Sequence, residues 1–179
     1  MPEVFIIDAC RTPRGIGKLG KGALADIHPH HVSATVLSAL ATRNNLITAD
    51  IDDVMWGTTL HQSMHARLAA LDAGYDPRVS GVTMDRVCGS SITSVSLAAA
   101  TIIAGHQDLV VAGGIDHFAQ HAGREEIGNC RSAPIGGGVG SVGELRLRAG
   151  AGLDPHLIAD GQQLLHRLRG RRHQGLPRP

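Results

Sequence analysis

The sequence predicts an α/β fold: a mainly parallel sheet of four strands with helices on both faces, followed by an irregular C-terminal tail. Two observations carry that expectation. Short apolar runs rich in β-branched residues alternate with segments of helical periodicity as far as about residue 115, the order that builds parallel strands joined by helical crossovers. Beyond Gly123 the alternation stops, and glycine and arginine take over.

Taken in order, residues 4–9 (VFIIDA) have the β-branched and aromatic content of a buried strand, and a glycine-rich polar loop follows them. Residues 31–46 place Val32, Val36, Leu37 and Leu40 at helical spacing, with Asn44-Asn45 as a stop. Residues 53–58 (DVMWGT) read as a second strand, 65–73 (HARLAALDA) as a second helix closed by Gly74, and 81–87 as a third strand. Residues 90–104 mix small and apolar side chains on every side, which predicts a helix buried on most of its surface. Residues 108–112 (DLVVA) make a fourth strand that ends at Gly113-Gly114. Further on, Leu145 and Leu147 alternate with Arg146 and Arg148, but no aromatic or β-branched cluster gives them a core-facing stripe. Weak structure is expected there. The expected organisation is one domain over residues 1–123 and a poorly ordered tail over 124–179.

Composition narrows the function. The 179 residues are 42% apolar and 18% charged, which suits a folded domain rather than a disordered chain. No apolar run approaches the roughly 18 residues of a membrane span. The first residues, MPEVFIIDACR, lack a basic leader and read as a strand, so the expected compartment is the cytoplasm. A net charge of +1 argues against nucleic acid as a partner. That average hides a division: residues 124–179 hold 9 of the 17 basic side chains, 11 of the 23 glycines and no aromatic residue. Cys10, Cys88 and Cys130 are too few and too far apart for a disulfide framework, and no C-x-x-C pair suggests structural zinc.

Cys88 is the most informative residue. It stands between the third strand and the following helix, in Asp85-Arg86-Val87-Cys88-Gly89-Ser90-Ser91. A strand-to-helix turn flanked by glycine and serines lets a side chain project above the sheet, as nucleophile elbows do. The helix start offers a partial positive charge that favours thiolate over thiol and can support a developing oxyanion. The competing reading is a small buried hydrophobe, the usual fate of a free cysteine.

Residues 4–115 resemble the N-terminal half of the thiolases, the acetyl-CoA acetyltransferase and 3-ketoacyl-CoA thiolase family. The likeness rests on several blocks in order: IIDACRTPRGIGKLGKGALADIHP, ITADIDDVMWGT, ARLAALDAGYDPRVSGVTMDRVCGSSITSV and AATIIAGHQDLVVAGGIDHF. Arg11-Thr12-Pro13, Arg86-x-Cys88-Gly89-Ser90 and Val111-Ala112-Gly113-Gly114 are together far more specific than any one alone. The resemblance implies that Cys88 is the acyl-accepting nucleophile, with acyl-CoA and coenzyme A as substrates and no metal or redox cofactor. It implies pairing with a second copy through residues 81–87. Amides near Gly89 would help to hold the thioester oxygen.

The departures from the family are equally specific. Its thiolate is generated by a histidine in a Gly-His-Pro motif, and a second cysteine in a Cys-x-Gly-Gly motif moves the proton; neither motif occurs here. The family continues with a lid over coenzyme A, a fifth strand and a complete second half, and this chain is expected to have room for neither of the last two. Residues from about 124 onward resemble the product of a shifted reading frame in a GC-rich gene. The segment 58–66 is shorter than usual, and Asp85 stands where many members carry asparagine. An inactive form that only pairs with a thiolase-like partner is therefore the alternative.

Other signals are weaker. Gly15-x-Gly17-x-x-Gly20 opens no helix and has no acidic residue about 20 positions on, so it does not read as a dinucleotide site. His28, His30, His31 and the pairs His61/His65 and His117/His121 are read as solvated histidines, because neither pair encloses the glutamate of H-E-x-x-H. The basic end, residues 166–178, lacks interleaved aromatics and reads as a solvated terminus.

Overall fold

The computed structural model describes residues 3–16, 22–24, 26–59, 64–116 and 141–149. In chain order the elements are β1 (Glu3–Arg11), α1 (Pro29–Arg43), a 3-10 turn (Thr48–Asp50), β2 (Asp53–Thr58), α2 (His65–Asp72), β3 (Ser80–Met84), α3 (Ser90–Ile103), β4 (Leu109–Ile115) and β5 (Ser141–Ala149). They form one five-stranded sheet in the order β1-β5-β4-β2-β3.

The α/β class stands, and the sheet is larger than expected. β2 runs parallel to both β3 and β4, while β5 lies antiparallel to β4 on one side and to β1 on the other. The four strands read from the sequence thus share one direction, and a fifth runs against them. That fifth strand comes from the segment expected to be irregular, and it occupies the position for which the chain was expected to have no room. The physical reason is its neighbours: with β1 and β4 on either side, β5 has a backbone ladder to join along both edges, so pairing outweighs the poor β-propensity of glycine.

Local chemistry sets the helix ends. Pro29 takes a position in the first turn of α1, where its missing N–H costs nothing, and His28 Nδ1 accepts from the His30 amide at 3.4 Å. At the other end Asn45 turns to φ +47° and Asn44 Nδ2 donates to Leu40 O at 2.9 Å, so the helix stops at the asparagine pair as the sequence predicts. Asn44 Nδ2 also donates to Asp8 Oδ2 at 2.8 Å, and Arg43 pairs with Asp8 at 3.0 Å, which fastens α1 to β1. Gly74, at φ +79°, closes α2.

The chain steps from β2 outward to β3 and then back across β2 to β4, and right-handed crossovers then require α2 and α3 on opposite faces. They are found there. On one face Val54, Trp56, Val111 and Ile115 meet α1 and α2 through Val32, Val36, Leu37, Leu40, Ala66, Ala69 and Ala70. On the other, Met55, Val110 and Ala112 meet Ala98 and Ile102 of α3. Because both faces are covered, β2 and β4 are buried at every residue.

α3 departs from expectation. Its inner side is buried, but Ile92, Leu97 and Ile103 are 71%, 45% and 50% exposed, so one side of the helix faces outward instead of being enclosed. Apolar residues all round this helix conceal from the sequence which side has no cover. β3 is one of the sheet's two edge strands among the described residues, and it ends at Met84, three residues short of the expected boundary. Among the described residues no helix is long and apolar enough to cross a membrane.

Candidate active site around Cys88

The last three residues of the expected strand build a turn instead. Asp85 Oδ1 accepts from the Val87 amide at 2.8 Å, and Val87 is driven to φ +50°, a conformation that a β-branched residue rarely adopts. Ser90 locks the turn from the helix side: its hydroxyl accepts from the Arg86 amide at 2.8 Å and donates to the Val87 carbonyl at 2.6 Å. Cys88 follows directly, exposed, one residue before Gly89 caps α3. The sulfur is therefore at the open end of a strained strand-to-helix turn, and the reading of Cys88 as a buried hydrophobe falls. The Asp85 carboxylate oxygen fills this acceptor role as an asparagine amide oxygen would.

Two glycines bring the start of α3 onto the sheet. A Cβ on Gly57, at the end of β2, would run into the backbone of Ser90 and Ser91; one on Gly114, at the end of β4, would strike the Ser91 hydroxyl and come within 2.5 Å of the Gly57 carbonyl. The close approach therefore needs hydrogen at both positions. Ser94 Oγ adds a tie to the Gly113 carbonyl at 2.7 Å. Beside these, Thr59 Oγ1 donates to Asp116 Oδ1 at 2.9 Å, joining the chain just beyond β2 to the chain just beyond β4. Cys88 thus lies beyond the carboxyl ends of three parallel strands, where open α/β sheets present their ligand crevices.

One expectation needs correction. The Gly89 amide donates to the Arg86 carbonyl at 3.0 Å and the Ser90 amide to the Val87 carbonyl at 3.1 Å, so both are committed to the turn rather than held ready for a substrate oxygen. The turn geometry that lifts the thiol consumes these two donors.

The remaining sequence candidates separate. Cys10 is half-buried on β1 with its Sγ 3.6 Å from the Val36 carbonyl, and burial pushes its thiol up from the usual range. His65 is fully buried, not solvated, with Nε2 3.0 Å from the Ser33 hydroxyl; burial, reinforced by His30 and His28, pulls it down to about 4. His28, His30 and His31 do come together, with neighbouring ring centroids 4.3 Å and 4.0 Å apart. Asp72, 41 residues away in sequence, joins them through a 2.5 Å contact between its Oδ2 and His31 Nδ1. Cys130, His61, His117, His121, Gly17 and Gly20 lie outside the described residues. Sequence reasoning missed Gly57, Gly114 and Asp72, whose roles depend on partners distant in the chain.

The family model for the thiolase N-terminal domain matches residues 4–138, past the boundary expected at residue 123. A 3-ketoacyl-CoA thiolase of Chromohalobacter salexigens is 40% identical over 121 residues, 65% of this chain and 30% of that protein. A steroid 3-ketoacyl-CoA thiolase of Mycobacterium tuberculosis is 42% identical over 124 residues, 67% of this chain and 30% of that protein. The crystal structure of the Bacillus anthracis acetyl-CoA acetyltransferase superposes with a TM-score of 0.59 at 34% identity, covering 64% of this chain and 29% of that one. The chain spans about 30% of the length of these curated relatives.

Proposed function

Because the chain belongs to the thiolase family through its N-terminal domain, we propose that it carries that family's acyl-accepting chemistry, with Cys88 as the nucleophile toward an acyl-CoA thioester. The observation that carries this reading is the exposed Cys88 sulfur on a strained turn at the start of α3, beyond the carboxyl ends of β2, β3 and β4. The thiolate adds to the thioester carbonyl, the carbon–sulfur bond to coenzyme A breaks, and coenzyme A leaves as a thiolate that takes up a proton. An acyl-cysteine remains, ready for a second thiol or a second thioester. In this reading the substrates are coenzyme A thioesters in 3-ketoacyl-CoA cleavage or acetyl-CoA condensation.

A second reading has its own support. Among the described residues β3 is an edge strand, a position that suits pairing with a second copy or a thiolase-like partner without catalysis. Incubation of the full chain with acetyl-CoA separates the two. Intact mass and peptide mapping are expected to show one acetyl group on Cys88, absent from Cys88→Ala; no adduct and no released coenzyme A would leave only the pairing role.

A further inference from the structure

We propose that His30, His31 and Asp72 form a binding site for a divalent transition-metal ion, Zn2+ being the ion their chemistry suits best, which clamps the first turn of α1 to the end of α2. The three residues come from two helices that pack against each other, and one donor atom from each lies within 4.8 Å of the other two. His31 Nδ1 is 2.5 Å and His30 Nε2 3.9 Å from the same oxygen, Asp72 Oδ2. Two imidazoles and one carboxylate are the donor set that zinc accepts with water as a fourth ligand, whereas calcium and magnesium call for oxygen throughout.

The dimensions are compatible. Metal–ligand bonds of about 2.0–2.1 Å put tetrahedral donors about 3.4 Å apart, so an ion would open the 2.5 Å His31–Asp72 contact by about an ångström and close the 3.9 Å His30–Asp72 separation by about half an ångström. The side chains can make that adjustment because His31 and Asp72 are exposed and His30 is half-exposed. The backbone beneath them is fixed: Pro29 and the His28 side chain set the start of α1, and Gly74 ends α2. His28 is engaged at Nδ1 with the His30 amide and is not counted among the donors. The site lies on the α1/α2 side of the sheet, away from α3, and stands independently of acyl transfer at Cys88.

Zn2+ titration of the full chain by calorimetry, with thermal unfolding in parallel, tests the proposal. The wild type is expected to take up one tightly held ion and to unfold at a higher temperature in its presence. Asp72→Asn keeps shape and size, and with His31→Ala it is expected to weaken that binding at least tenfold and abolish the thermal shift. His106→Ala, distant in sequence and outside the cluster, is expected to change neither. Wild-type affinity and thermal shift retained in both Asp72→Asn and His31→Ala would assign the ion to other histidines and overturn the proposal, as would the absence of Zn2+ binding. Circular dichroism of each variant separates lost binding from lost fold.

Discussion

The Ser33 hydroxyl and His65 Nε2 meet at 3.0 Å where α1 packs on α2, both side chains sealed from solvent. The pair sets a pH limit on the fold. Burial first, then the nearby His30 and His28, lowers His65 from 6.5 to about 4, so the folded state refuses a proton that the unfolded chain accepts. Stability from this group is fully present above pH 6.5 and is lost as pH falls toward 4, by about 3 kcal/mol in all. Chemical unfolding from pH 4 to 8 checks it: His65→Leu is expected to flatten the wild-type slope between pH 6.5 and 4. At neutral pH the same variant strands the Ser33 hydroxyl, a loss of about 1–3 kcal/mol. Equal slopes in the two proteins would refute the assignment.

Cys88 and Cys10 are expected to differ in reactivity. Cys88 is exposed, whereas Cys10 is half-buried, engaged with the Val36 carbonyl and raised by burial. Limited alkylation with iodoacetamide at pH 7.5, followed by peptide mapping, should label Cys88 about tenfold faster than Cys10 or more. The margin should narrow in denaturant, where both thiols become equivalent. Equal rates in the native protein would contradict the exposed position of Cys88.

Substitutions at two glycines should have opposite weight. Gly57→Ala forces a methyl group into the backbone of Ser90 and is expected to cost about 3 kcal/mol or more, with α3 lifted from the sheet. Gly89→Ala, whose added carbon would lie 3.4 Å from the Arg86 carbonyl at a negative φ, should cost about 1 kcal/mol or less. Thermal unfolding of both variants measures the contrast. Similar losses would mean that α3 does not depend on the approach at Gly57.

The turn before Cys88 stores strain that a different side chain can release. Val87→Asn, at φ +50°, is expected to stabilise the protein by about 1 kcal/mol, since asparagine tolerates this conformation and valine does not. Asp85→Ala removes the acceptor of the Val87 amide and should destabilise by about the same amount, while Asp85→Asn should be neutral. Urea midpoints decide the signs, and a destabilised Val87→Asn would show that the strain is not located at this residue.

How far the sequence could be read follows from which signals are local. β2 was legible to the residue because DVMWGT combines β-branched, aromatic and turn residues within six positions. The position of Cys88 between strand and helix was legible too, since the strand, small-residue turn and helix around it are contiguous. β5 was not, although Leu145, Arg146, Leu147 and Arg148 carry the alternation of a strand, because its partners β1 and β4 lie far away in the chain. His65 read as solvated because nothing near it in sequence reveals Ser33. The engaged Gly89 amide escaped notice for a related reason: a helix start promises unpaired donors, and only the conformation of Val87 shows that the preceding carbonyls fold back to take them.

β5 also decides what β1 can pair with. Glu3 pairs with Ala149, and among the described residues β1 joins the backbone ladder of the sheet through β5 alone. The pairing of β1 with β5 therefore joins positions as far apart as Glu3 and Ala149, a long-range closure of the kind that forms slowly. A substitution that disrupts β5 would thus be felt at β1, as a strand deprived of its berth.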